Sequence, residues 1–177
     1  MAIRTNFKRR PRLKGFDYTG HYRYFITICT RNKNPIFHNK KIAKQYIELL
    51  AEKAIAFHFK VWAYCFMPDH VHFLAEGMEQ DADLKKFVSS FKQSAGYHYS
   101  LSNKANVAHL DGRAEALDYG KMVDIGDVAQ GFSPGDKAKL WLPSFFDHVL
   151  RRDEVLLVTV IYILNNQVWK KIVLMYM

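Results

Sequence analysis

Phe59 to Met67 (FKVWAYCFM), the break at Pro68-Asp69, and Val71 to Glu76 (VHFLAE) form the stretch that decides the fold. The first run is dense in aromatic and β-branched residues, which suit a pleated, half-buried surface, so it reads as a strand. Pro68 and Asp69 are turn residues and end it. The second run reads as another strand, close enough to the first to pair with it as a hairpin. At the mouth of this hairpin stand His70 and His72. Alternate residues of a strand point to the same face, so the two imidazoles sit side by side while Val71 turns into the core. Two imidazoles on a rigid strand make half of a divalent metal site. The spacing alone equally describes a hydrogen-bonded pair of surface histidines.

Working outward, Tyr22 to Thr30 (YRYFITICT) reads as a buried strand by the same composition. Asn32 to Asn34 with Pro35 mark a turn. Lys40 to Phe57 places Ile42, Ala43, Tyr46, Ile47, Leu50, Ala54 and Ile55 at helical spacing, with charge on the other face. Asp81 to about Tyr99 reads as a second helix with Asp81 as its cap. Its inner stripe is Leu84, Phe87, Val88 and Phe91, and its outer face carries Lys85, Lys86 and Lys92. Residues 102–139 are polar, with Gly112, Gly120, Gly126, Gly131 and Gly135, and predict a variable segment of turns or short strands. Leu140 to Leu150 (LWLPSFFDHVL) returns to aromatic core character. Asp153 to Asn165 predicts a third helix, whose N-terminal dipole suits Asp153 and Glu154. The order suits one α+β domain over residues 1–177: a ferredoxin-like antiparallel sheet with helices on one face and the histidine pair on a central strand.

A second chemical signal lies in that last helix. Residues four apart share a helix face, which relates Tyr162 to Asn166. Asn166 offers a carbonyl oxygen as a metal ligand while Tyr162 projects its phenol toward the same ion. Spacing alone also fits a core aromatic with its hydroxyl at the rim. Tyr97 and Tyr99, near basic residues at the end of the second helix, are rival nucleophiles without the Tyr-x-x-x-Asn pattern.

The chain of 177 residues carries a formal charge of +9. That balance favours a polyanionic partner, nucleic acid first, and speaks against an acidic metal pocket for small phosphates. The basic arm of residues 1–16 contains Arg9, Arg10, Arg12 and Lys14 and no acid before Asp17. It reads as a segment that lies on phosphates, or as a solvated terminus. Lys92 and Arg151 are further phosphate contacts, Arg151 alternatively pairing with Asp147 or Asp153. Cys29 and Cys65 form no zinc spacing and read as buried free thiols, which suits a reducing cytoplasm. No apolar run is long enough to span a bilayer, and the N-terminus lacks the apolar core of a secretory signal.

Several motifs, in order, resemble the REP-associated tyrosine transposases, a group within the single-tyrosine HUH transposases of insertion sequences. They are Arg12-Leu13 with Gly15 and Asp17-Tyr18, then Tyr24 to Thr30, Met67-Pro68 with His70 and His72, and Ser90-Phe91-Lys92. Leu140-Trp141, Phe146 to Arg151, and Tyr162 to Asn166 follow. The family's proline after the two asparagines is Gln167 here, and residues 102–139 are longer than usual. The resemblance implies a metal-dependent endonuclease and strand-transferase that cleaves single-stranded DNA beside hairpins through a 5′-phosphotyrosine. It implies His70, His72 and Asn166 as ligands of Mg²⁺ or Mn²⁺ and Tyr162 as nucleophile, in a monomer or a homodimer. A non-catalytic, domesticated hairpin-binding protein of the same fold is the alternative.

Overall fold

The computed structural model describes Leu13 and residues 15–110, 139–150, 156–165 and 170–171. Five strands form one antiparallel sheet: β1 (Arg23–Cys29), β2 (Phe59–Met67), β3 (His70–Gly77), β4 (Phe146–Val149) and β5 (Lys170–Lys171). Their spatial order is β4-β1-β3-β2-β5, so the strand that carries both histidines is central, as its sequence predicts. Among the described residues three α-helices accompany the sheet: α1 (Lys40–Ala56), α2 (Leu84–Leu110) and α3 (Leu156–Asn165).

Strand alternation gives the sheet two apolar faces. Tyr24, Ile26, Ile28, Tyr64, Phe66, Val71, Phe73 and Ala75 point to one face and form a core with Tyr46, Leu50, Leu84, Phe87, Val88 and Phe91 of α1 and α2. Phe87 stacks on Phe59 with ring centroids 4.8 Å apart and meets Phe73 edge-on at 5.9 Å. The opposite face collects Phe25, Ala63, Cys65, Leu74, Leu150 and Ile163. β2 serves both faces because the register slips between Val61 and Ala63, which brings Tyr64 and Phe66 onto the side that Val61 occupies. The sheet with α1 and α2 on one face follows the expected arrangement. α3 extends it by packing on the other face, where the histidines are.

Local chemistry sets the element ends. Asn39 caps α1, accepting from Lys41 N at 2.9 Å and Ile42 N at 3.4 Å. The cap of α2 is Asp83, two residues later than expected: it accepts from Lys85 N at 2.8 Å and Lys86 N at 3.0 Å. Asp81 instead lies on the surface near His58. α2 also runs on to Leu110, so residues 102–110, expected to be irregular, are helical. Residues 111–138 of the polar segment, and the expected first turn of the third helix at 153–155, lie outside the described residues. At the far end of β3, Gly77 N donates to Tyr22 O at 3.0 Å. A Cβ built on Gly77 would collide with the Gly20 carbonyl oxygen, so this crossing of chains admits only glycine.

Candidate active site

The β2–β3 hairpin turns through only Pro68 and Asp69, since Met67 pairs with His70. The turn is fastened from outside. Thr30 N and Thr30 Oγ1 donate to Asp69 O at 2.9 and 2.8 Å, and Phe37 N donates to Pro68 O at 3.1 Å. That fixes the position of the Asp69 side chain, whose Oδ1 lies 2.6 Å from His70 Nδ1. A carboxylate only accepts, so His70 Nδ1 carries the proton, and in the neutral ring Nε2 then presents a lone pair.

His72 lies opposite Thr27 of β1, and Thr27 Oγ1 lies 2.8 Å from His72 Nδ1. The two Nε2 atoms converge to 3.1 Å. These groups satisfy one another in two ways, because a hydroxyl both donates and accepts. In one, Thr27 donates to Nδ1 and His72 Nε2–H donates to His70 Nε2. In the other, His72 Nδ1–H donates to Thr27, and two Nε2 lone pairs face a common point. The second form is a ligand pair for a cation. Neighbouring ligands of an octahedral ion with bonds of roughly 2.1 Å lie about 3 Å apart, so the donor set fits a divalent metal. A hydrogen-bond partner on the remote ring nitrogen is the usual companion of a metal-binding histidine. Burial, and then the neighbouring His70, push the His72 pKa down to about 4, which keeps that ring neutral.

Tyr162 stands beside this pair. Its ring meets His72 edge-on with centroids 6.2 Å apart and Phe25 at 5.8 Å. Phe25 in turn stacks on His72 at 5.4 Å. α3 reaches this position because Ile163 is fully buried against the sheet, which turns the preceding residue to the rim, where Tyr162 is 37% exposed.

His70, His72 and Tyr162 are thus brought together. Asn166, Arg9, Arg10, Arg12, Lys14 and Arg151 lie outside the described residues. Lys92 lies on α2, where its ammonium donates to the carbonyls of Leu142, Pro143 and Ser144 at 2.8, 3.0 and 3.3 Å, which clamps the loop before β4 to α2. Tyr99 accepts from Asn34 Nδ2 at 3.1 Å, and Tyr97 and Tyr99 belong to α2, the helix on the other side of the sheet. Sequence reasoning passed over Asp69, Thr27 and Phe25. Asp69 adjoins the histidine motif, whereas Thr27 and Phe25 become visible only once β1 is registered against β3. Among the described residues a group of His58, Glu79 and Asp81 has metal-ligand spacing. It is exposed and lies at the opposite end of the hairpin, with His58 Nδ1 2.7 Å from Glu79 Oε2.

Residues 18–113 match the family described as Transposase IS200 like, and the chain belongs to that family. A protein of Haemophilus influenzae (strain Rd), described as uncharacterized, is 24% identical over 184 residues, spanning 93% of this chain and 91% of its own. A solved structure of a REP-associated tyrosine transposase bound to a REP hairpin is similar with a TM-score of 0.54 at 16% identity. The match covers 87% of this chain and 70% of that one and establishes a shared fold. The function is of transposase type. No helix among the described residues is long and apolar enough to cross a membrane.

Proposed function

We propose that this transposase is a metal-dependent single-strand DNA endonuclease and strand-transferase of the REP-associated type, acting beside DNA hairpins in the cytoplasm. The observation that carries the reading is the placement of the Tyr162 ring against His72, whose Nε2 converges with that of His70.

His70 and His72 would hold Mg²⁺ or Mn²⁺, with Asn166 as third ligand. When bound, the ion supplies Lewis-acid polarisation of a non-bridging oxygen on the scissile phosphate. Asp69 and Thr27 hold both imidazoles in a fixed orientation, so no ring rearrangement is needed when substrate arrives. Tyr162 attacks phosphorus through its phenolic oxygen. The new O–P bond forms as the bond to the 3′ oxygen breaks, giving a 5′-phosphotyrosine and a 3′-hydroxyl; the phenolic proton leaves to solvent and the 3′ oxygen takes one up. The linkage keeps a reactive phosphodiester for rejoining to another 3′-hydroxyl. Arg9, Arg10, Arg12, Lys14 and Arg151 contact backbone phosphates. That a protein of similar fold was solved with a REP hairpin makes hairpin DNA the first substrate to try.

Incubation with hairpin DNA bearing a single-stranded flank, with Mn²⁺, followed by a denaturing gel, tests this. The expected result is a DNA–protein adduct abolished by EDTA and by Tyr162→Phe. Hairpin binding by the wild-type chain with no adduct under these conditions would favour a non-catalytic DNA-binding protein of this fold.

A further inference from the structure

The sheet register places one exposed aromatic in line with the histidine pair. Thr27 is paired with His72 on one side and with Phe146 of β4 on the other. Directly paired residues of neighbouring strands share a face, so His72, Thr27 and Phe146 form one row across the side of the sheet that carries Tyr162. Phe146 is 46% exposed, whereas the preceding Phe145 is buried in the core on the opposite face. β4 is the outermost strand on that side among the described residues. The sequence thus spends two adjacent phenylalanines differently: one anchors the strand, and the other presents an aromatic ring beside the candidate catalytic groups.

We infer that Phe146 is a stacking platform for an unpaired nucleobase next to the scissile phosphate. The inference rests on the proposed DNA-cleaving reading. Strands in a sheet are about 4.8 Å apart, so the two steps from His72 to Phe146 cover roughly 10 Å, a distance a base can reach from a nearby phosphate held at the histidines. The flat hydrocarbon surface suits a base and not a phosphate. A base pair within a duplex hides its faces in the stack, so the ligand is a nucleotide of the single-stranded flank and not of the hairpin stem. Stacking of this kind is sequence-tolerant, since every base has a π-face, and it orients the strand as well as adding affinity.

The test compares two probes of equal phosphate charge, oligothymidylate of twelve nucleotides and an abasic strand of the same length, at fixed salt. Fluorescence anisotropy is measured on the Tyr162→Phe chain, so that no adduct forms. The expected result is tighter binding of the base-bearing strand, with Phe146→Ala weakening that binding roughly tenfold and leaving the abasic strand unaffected. Phe146→Trp restores the preference and Phe146→Leu does not. The inference is overturned if the parent shows no preference for bases, if alanine weakens both probes equally or neither, or if leucine restores as well as tryptophan. Failure of the cleavage reading shows separately: no covalent adduct in the wild-type chain, with the preference for bases intact.

Discussion

His70 Nε2 and His72 Nε2 lie 3.1 Å apart while the other nitrogen of each ring is held by a different part of the chain, Asp69 in the hairpin turn and Thr27 on β1. Neither ring is free to choose its orientation. The pair is therefore organised before any ion or DNA arrives.

The first consequence concerns metal affinity. Thr27→Val keeps the shape of the side chain and removes the hydroxyl, leaving His72 Nδ1 without its partner. Such outer partners are typically worth about 10–100-fold in metal affinity. Titration of Mn²⁺ by calorimetry or electron paramagnetic resonance should show a loss of that order in Thr27→Val, with Thr27→Ser close to the parent. Asp69→Asn should weaken binding in the same direction, because a neutral amide holds His70 Nδ1–H less strongly than a carboxylate. Unchanged affinity in both Thr27→Val and Asp69→Asn would show that the partners do not tune the site.

The helix-covered core should be sensitive to the ring that joins its layers. Phe87 is fully buried between Phe59 and Phe73. Phe87→Ala removes that contact area and leaves a cavity, a change that costs about 3–5 kcal/mol. Urea denaturation followed by circular dichroism should show a midpoint lowered accordingly, with the histidine pair affected only through the loss of folded protein.

Gly77 makes a sharper case because the substitution adds a single carbon. The collision with the Gly20 carbonyl oxygen forces backbone to move, and Gly20 itself holds a φ of +89° that most residues resist. Gly77→Ala should cost roughly 1–3 kcal/mol by thermal or chemical denaturation. A neutral result would mean that the chain crossing is looser than described.

Much of this was legible before the structure. Aromatic and β-branched runs marked β1, β2 and β3, the helical stripe of Leu84, Phe87, Val88 and Phe91 marked α2, and alternation placed His70 and His72 on one face. What escaped has physical reasons. β4 has four residues at a sheet edge, and its burial alternates with Phe146 exposed and Asp147 half-buried, so hydropathy does not mark the alternation. α2 continues past Tyr99 through a polar stretch whose composition resembles a loop. Asp81 and Asp83 are both good caps by residue type, and only the geometry of the first turn distinguishes them. α3 is apolar on nearly every side, so its pattern could not say which face of the sheet it would cover. Thr27, Phe25 and Phe146 join the site through strand register, which depends on tertiary pairing and not on local pattern.

The most direct measurement of the central claim is mass spectrometric mapping of the covalent DNA–protein link. The wild-type chain is incubated with Mn²⁺ and hairpin DNA carrying a single-stranded flank, then digested with protease and nuclease, and the modified peptide is sequenced. The account predicts a phosphonucleotide on Tyr162, beside His72. A link on Tyr97, on Tyr99 or on any other residue, or hairpin binding without a link, would contradict it.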